Sequence, residues 1–114
     1  MNLKGAKKMP VEKRVLWAER VRRVPEQFSW VDHRLVREGY MRQCQAEAWA
    51  LYLFLVTVGD AEGLSYYSDR SLCRELTLRE GELARHRNRL VGADLVAWQA
   101  PLYQVLSVPE RRPA

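Results

Sequence analysis

Apolar residues recur at helical spacing in two short stretches between residues 68 and 95, and a turn separates the stretches. The stretches carry, in order, Leu72, Cys73 and Leu76, then Leu83, Leu90 and Val91. Between them, Thr77 and Glu80 match the T-x-x-E pattern of a capping box, which predicts that the second helix begins at Leu78, give or take one residue. Each helix then has one face to bury, and the short turn predicts a helix-turn-helix pair.

The two sides of the second predicted helix differ in chemistry. A helical wheel centred on Leu83 places Glu80, Arg87, Leu90 and Val91 on the inner side. Arginine and asparagine on the outer side are suited to contact guanine and adenine edges, and a glycine there lets a DNA backbone approach closely. The predicted DNA-binding residues of this helix are Arg79, Gly81, Glu82, Arg85, His86, Asn88 and Arg89. The alternative is a solvated charged face, since Glu80 and Glu82 reduce the four positive charges between Arg79 and Arg89 to a net charge of +2.

A β-hairpin is predicted directly after this helix. Residues 95–108 alternate aliphatic, aromatic and polar side chains around a turn at Ala100 and Pro101. Trp98 and Tyr103 are expected to cover the second helix rather than to stack on bases. The hairpin tip carries no lysine or arginine, so we expect it to grip phosphate weakly.

The segment upstream predicts a core helix and a short strand. Residues 46–59 carry no charge after Glu47 and are apolar on nearly every face, which is typical of a helix in the middle of a core. It is shorter than the roughly 20 apolar residues of a membrane span. A turn follows at residues 60–63, then a strand that pairs with the hairpin, ending at the N-cap candidate Ser68. The predicted fold class is mainly α with a small β-hairpin, an α+β domain.

This order of helix, strand, helix, helix, strand, strand over residues 28–108 resembles the winged helix-turn-helix superfamily. The segments FSWVDHRLVREGYMRQC, GLSYYSDRSLCRELTL and DLVAW are similar to bacterial winged-helix modules that accompany plasmid, phage or transposon replication and mobility. Gly63 with Ser68 matches a G-x-x-x-x-S step, and Leu90 with Leu95 an L-x-x-x-x-L step. The resemblance implies binding of double-stranded DNA, in transcription regulation or in DNA replication and mobility.

Charge divides the chain at Val24. Residues 1–24 hold eight basic and two acidic side chains, a net charge of +6, so the remainder carries −1 of the total of +5. We expect this N-terminal arm to attract DNA phosphates, with Lys7, Lys8, Lys13 and Arg14 as the contacts. The predicted organisation is a basic arm at 1–24, a domain at 25–109 and a loose tail at 110–114.

Two further amphipathic helices are predicted near the N-terminus. One spans Val11 to Val24 and has three alternatives for its apolar side: its own domain, a second copy in a homodimer, or a partner protein. The other precedes Gly39 and is expected to pack on the apolar helix, with a partner surface as the alternative. Its apolar stripe comprises Phe28, Val31, Leu35 and Val36, with Trp30 at the core edge.

The remaining side chains argue against an enzyme. Cys44 and Cys73 lack metal-ligand spacing and are interpreted as reduced thiols of a cytoplasmic protein. Asp32 and His33 are adjacent and therefore do not face each other on a helix. The chain shows neither a phosphate-binding glycine loop nor a nucleophile elbow, so no cofactor is predicted, and no secretory signal is recognised. The main alternative to DNA binding is a protein-interaction adaptor built on the same fold.

Overall fold

The computed structural model describes residues 11–110, and within them the chain forms a mixed α+β fold. From residue 46 onward, three α-helices and one three-stranded antiparallel sheet follow one another in the predicted order, and a fourth, short α-helix precedes them. Their bounds are α1 Arg34–Arg37, α2 Ala46–Val58, β1 Leu64–Tyr66, α3 Asp69–Leu76, α4 Glu80–Gly92, β2 Val96–Gln99 and β3 Leu102–Val105. The segment before Pro10, with Lys7 and Lys8, lies outside the described residues, as does the tail beyond Glu110.

The hairpin and the strand that joins it are confirmed. β3 is the central strand, because β1 and β2 both pair with it antiparallel. Ser65 and Trp98 both stand opposite Tyr103 in this register. The backbone N–H of Tyr67 donates to Pro101 at 3.1 Å, so the chain entering α3 is also tied to the hairpin turn.

A glycine directly precedes the first strand, and any other residue at this position would be strained. Gly63 has φ +83°, and a Cβ there would lie 2.5 Å from the carbonyl oxygen of Val105. The preceding turn is closed by Asp60, whose Oδ1 accepts the N–H groups of Glu62 and Leu64. At the far end of the step, Ser68 Oγ accepts the N–H of Ser71 at 3.1 Å and caps α3 as predicted.

The turn between α3 and α4 differs from the predicted capping box. Thr77 ends α3 in the left-handed conformation (φ 57°, ψ 51°), and the N–H of Leu78 donates to Cys73 at 3.0 Å. This is the six-to-one bond of a Schellman motif, which usually places glycine where Thr77 stands. The predicted Thr77–Glu80 box is therefore wrong, and α4 begins at Glu80 with Arg79 as its N-cap residue.

The same motif ends α4 and explains the spacing of Leu90 and Leu95. Asp94 adopts φ 61°, and the N–H of Leu95 donates to Leu90 at 3.1 Å. Both leucines are fully buried, as a Schellman motif favours for the residues at its two ends.

Helix α2 buries one face rather than all of its surface, which corrects the prediction that it lies in the middle of the core. Leu51 and Leu55 are fully buried against α4 and the sheet. Leu53, on the opposite face, is 60% exposed. The buried core consists of Leu35, Ala48, Leu51, Tyr52, Leu55, Leu72, Leu83, Leu90, Leu95, Val96, Tyr103 and Val108.

The predicted helix over Val11 to Val24 is wrong. Within it the chain forms only a 3-10 turn at Ala18–Arg20, and every described residue up to Trp30 is exposed. A helix of this length is marginal unless an apolar face is packed against something, and here no surface of the domain covers it. Docking on its own domain is thereby excluded as the role of this face.

The predicted helix before Gly39 is reduced to the single turn of α1. Leu35 is buried in the core, as predicted, but Phe28, Val31 and Val36 are exposed, and so is Trp30. A second 3-10 turn, Tyr40–Gln43, then leads into α2.

Among the residues described, no helix is long and apolar enough to cross a membrane.

Candidate nucleic-acid interface

The outward face of α4 is exposed along its whole length. Gly81, Arg85, Asn88 and Gly92 follow one another at helical spacing, and each is accessible to solvent. Arg79 and Arg89 are exposed beside this stripe. Three of the predicted contact residues, Gly81, Arg85 and Asn88, therefore lie on the surface without a hydrogen bond to another described side chain, and Arg79 makes one only through its backbone N–H.

Two glycines within the helix leave open space at both ends of this face. A Cβ at Gly81 or Gly92 would meet nothing within 4 Å, so neither glycine is required by packing inside the domain. Glycine inside a helix costs about 1 kcal/mol relative to alanine. What these two positions provide is room for another molecule's backbone to approach the helix.

The start of α4 is organised by Glu82. Its carboxylate accepts the backbone N–H of Arg79 at 2.9 Å, and this hydrogen bond lowers the pKa of Glu82. The side chain is half-buried. Glu82 was predicted on sequence as a DNA contact, but its position in the cap gives it a role in starting the helix.

Arg85 and Arg89 differ in how freely their side chains extend. The Arg89 guanidinium donates from Nη2 to the backbone carbonyl of Gln43, which ties the end of α4 to the turn before α2. Arg85 makes no hydrogen bond or ion pair among residues 11–110. Of these two arginines, Arg85 is the one whose whole guanidinium group remains available to a partner.

His86 corrects the sequence prediction. Its side chain was expected either to touch phosphate or to be solvated, and both roles need exposure. The residue is only 2% exposed, on the side of α4 that packs against the domain. At about 100° per residue, His86 lies roughly 60° from Leu83 on the helical wheel, so the helical spacing already places it on the inner side, beside the buried Leu83 and Leu90.

Arg87 is the residue that organises the base of this surface. Trp98 and Tyr103 cover this helix as predicted, whereas Asp69 was not predicted as a partner. It is 4% exposed, and its Nη1 donates to Asp69 Oδ1 at 2.8 Å and to Tyr103 Oη at 2.9 Å. Its Cζ lies 3.7 Å from the centre of the Trp98 ring. One guanidinium therefore joins α3, α4 and both hairpin strands.

The charge of Arg87 is maintained in this buried position. Burial by itself lowers the pKa of an arginine, but the hydrogen bonds to Asp69 and Tyr103 outweigh it and raise the pKa of Arg87. Burial also raises the pKa of Tyr103, which therefore stays neutral, and its hydroxyl oxygen accepts the hydrogen bond from Arg87. The sequence does contain a signal for these contacts. Arg87 lies on the inner side of the predicted helix, and a buried charge requires a partner.

The N-terminal candidates are only partly placed. Lys13 and Arg14 are exposed, whereas Lys7 and Lys8 lie outside the described residues. Within residues 11–110, no group of three or more histidine, cysteine, aspartate or glutamate side chains is arranged to hold a metal ion.

No protein-family model, curated protein or solved structure matches this chain.

Proposed function

We propose that the chain is a winged helix-turn-helix protein that binds double-stranded DNA, as a transcriptional regulator or as an accessory to replication or mobility of a genetic element. The observation that carries the proposal is the exposed arginine, asparagine and glycine face of α4. This helix is the second of a pair joined by three residues and is followed by a hairpin. A second helix held in this way is the part that such proteins insert into the major groove.

In this proposal each exposed side chain of α4 has a separate task. Arg85 reads guanine through a bidentate contact, and Asn88 reads adenine. The glycines at positions 81 and 92 let the helix approach the groove walls closely. Arg79 contacts phosphate at the beginning of the helix, and Arg89 contributes the donors that Gln43 leaves free.

The arm supplies affinity without sequence preference. Lys7, Lys8, Lys13 and Arg14 neutralise phosphates and release counterions. The hairpin tip, which has no basic side chain, contributes shape rather than charge. Arg87 positions the reading helix against the hairpin without touching DNA, since it is buried.

A protein-interaction adaptor on the same fold is the second candidate. The exposure of large apolar side chains throughout residues 11–31 favours it, because surface apolar side chains grouped in this way usually mark a protein contact. It predicts no retention on random duplex DNA once residues 1–24 are removed.

Selection of bound duplexes from a random pool tests DNA reading directly. We expect an enriched site, and Arg85→Ala should weaken binding to that site by about 1 to 3 kcal/mol if the lost contact is bidentate. Arg37→Ala, which removes an exposed arginine of α1, is the matched control and should leave affinity unchanged.

Salt titration separates the arm from the reading helix. Removing residues 1–24 should reduce the slope of log affinity against log salt by about 0.9 for each lost phosphate contact, while the base preference of a single α4 helix stays the same. Failure of both full-length and truncated chains to enrich any duplex would refute DNA reading and leave the adaptor.

A further inference from the structure

A cleft lies beneath the N-terminal segment, on a part of the domain away from the α4 face. It has a volume of about 540 Å³ and is formed by residues 28–34, the end of α2, the turn before β1 and the chain after β3. Its floor is apolar and well packed, with Tyr52, Leu55 and Val108 buried. Phe28 and Trp30 line it from exposed positions. The volume is within the range of about 300 to 1,000 Å³ that holds a compact ligand or a few side chains.

The cleft is acidic although the protein is basic. Asp32, Asp60 and Glu62 line it against a single arginine, Arg34, which gives a net charge of −2 in a chain of +5. Arg34 is already paired with Asp32, through Nη2 to Oδ2 at 2.8 Å, and these hydrogen bonds lower the pKa of Asp32 to about 2. Both acids of the turn, Asp60 and Glu62, are exposed. A cationic occupant with apolar side chains fits these surroundings.

The arm contains a segment with the complementary character. Residues 15–24, here called the docking segment, hold three arginines and one glutamate, a net charge of +2. Its five large apolar side chains are all exposed, with Leu16 at 88%. They are Val15, Leu16, Trp17, Val21 and Val24.

The docking segment leaves the domain at one end of the cleft and does not fill it. Phe28 and Ser29 line both the cleft and a smaller hollow formed with Arg22, Arg23 and Pro25. The segment's apolar side chains remain exposed, so it does not cover its own copy's cleft. The arm joins the domain beside the cleft. Two copies that face each other at this end of the cleft can therefore each extend an arm into the cleft of the other copy.

We propose that the protein forms a homodimer by arm exchange, in which the docking segment of each copy occupies the acidic cleft of the other. The apolar side chains of the docking segment cover Tyr52, Leu55 and the two aromatic residues that line the cleft, Phe28 and Trp30. Its arginines, Arg20, Arg22 and Arg23, contact the carboxylates of the cleft. The contact is used twice by symmetry, as in an isologous dimer. Because each copy contributes both a docking segment and a cleft, the number of interface residues per copy approaches the roughly 20 to 30 of a standard interface.

Arm exchange is independent of DNA binding, because no residue of the α4 face takes part. The proposed phosphate contacts Lys7, Lys8, Lys13 and Arg14 all precede the docking segment. A dimer would present two α4 helices to an inverted repeat, but its existence is measurable without DNA.

Sedimentation of the full chain without DNA, with two complementary variants, tests the proposal. The arm variant carries Leu16→Glu and Trp17→Glu, and the cleft variant carries Trp30→Ala and Glu62→Arg. All four side chains are exposed, so folding should be retained, and circular dichroism verifies it. Val36→Glu, an exposed apolar position outside the cleft and the docking segment, is the matched control.

We expect the unchanged chain and the Val36→Glu control to sediment at twice the 13.4 kDa mass of one chain, and each complementary variant alone as a monomer. A mixture of the arm and cleft variants should form a heterodimer weaker than the original, because one intact arm then meets one intact cleft. A monomeric full chain, a dimer insensitive to the arm variant, or a mixture that does not associate would each overturn arm exchange. None of these outcomes bears on whether a single domain binds DNA.

Discussion

Two parts of the chain are rich in large apolar residues but differ in where these residues lie. One part runs from Tyr40 to Val108, and the other from Val11 to Val36. In the first part, helices and sheet cover one another, and leucines such as Leu51 and Leu72 are fully buried. In the second part only Leu35 reaches the core, while Val15, Leu16 and Trp17 are exposed. Apolar spacing therefore produced packed elements only where a facing surface exists.

Helix α4 and residues 11–24 make this contrast specific, since both have the pattern of an amphipathic helix of 13 or 14 residues. Helix α4 has a Glu82 hydrogen bond at its beginning, a Schellman motif at its end, and two leucines packed against α2 and the sheet. Residues 11–24 are bounded by Pro10 and Pro25, and none of their side chains is buried in the part of the chain that the structure describes. Periodicity is shared, and tertiary contact is what differs.

The largest expected effect separates the two parts by stability. Leu55→Ala removes a fully buried side chain of α2 and should lower the free energy of unfolding by about 2 to 5 kcal/mol. Leu16→Ala in the arm should change it by less than about 0.5 kcal/mol, because that side chain is exposed. Urea unfolding of dilute protein measures both, and losses of similar size would contradict the contrast.

The next effect compares two arginines of α4. Arg87→Ala removes the hydrogen bonds to Asp69 and Tyr103, and should lower the free energy of unfolding by about 1.5 to 3 kcal/mol, as expected for bonds to a charged group. Arg85→Ala should leave stability within about 0.5 kcal/mol, since no described side chain bonds to it. If stability falls equally in both, Arg87 does not organise the base of α4.

The smallest effect concerns the turn between α3 and α4. Thr77→Gly should raise the free energy of unfolding by about 1 kcal/mol, because a β-branched residue is strained at φ 57° and glycine is not. Thr57→Gly, in the last turn of α2, should instead lower it by a few tenths of a kcal/mol. If Thr77→Gly lowers the free energy of unfolding instead, the result would support the predicted capping box at Thr77.

The sequence alone determined the order of elements from residue 46 onward and most of the outward face of α4. Alternation, turn residues and caps such as Asp60, Gly63 and Ser68 act within a few residues, so they can be interpreted without knowing what lies opposite. The same local rules placed Arg85 and Asn88 outside and Arg87 inside. They did not reveal which residue caps the start of α4. The predicted cap at Thr77 and the observed one, made by Glu82, lie only five residues apart in the sequence.

Only the tertiary structure decided which apolar faces are covered and which partners charged groups find. The Asp69–Arg87–Tyr103 contacts and the exposure of residues 11–31 depend on surfaces far apart in the chain. A short helix outside the core gains too little from its own hydrogen bonds to offset the loss of chain entropy, so periodicity cannot secure it. Long-range packing supplies that difference for α4, whereas residues 11–24 remain exposed in a single copy among the residues described.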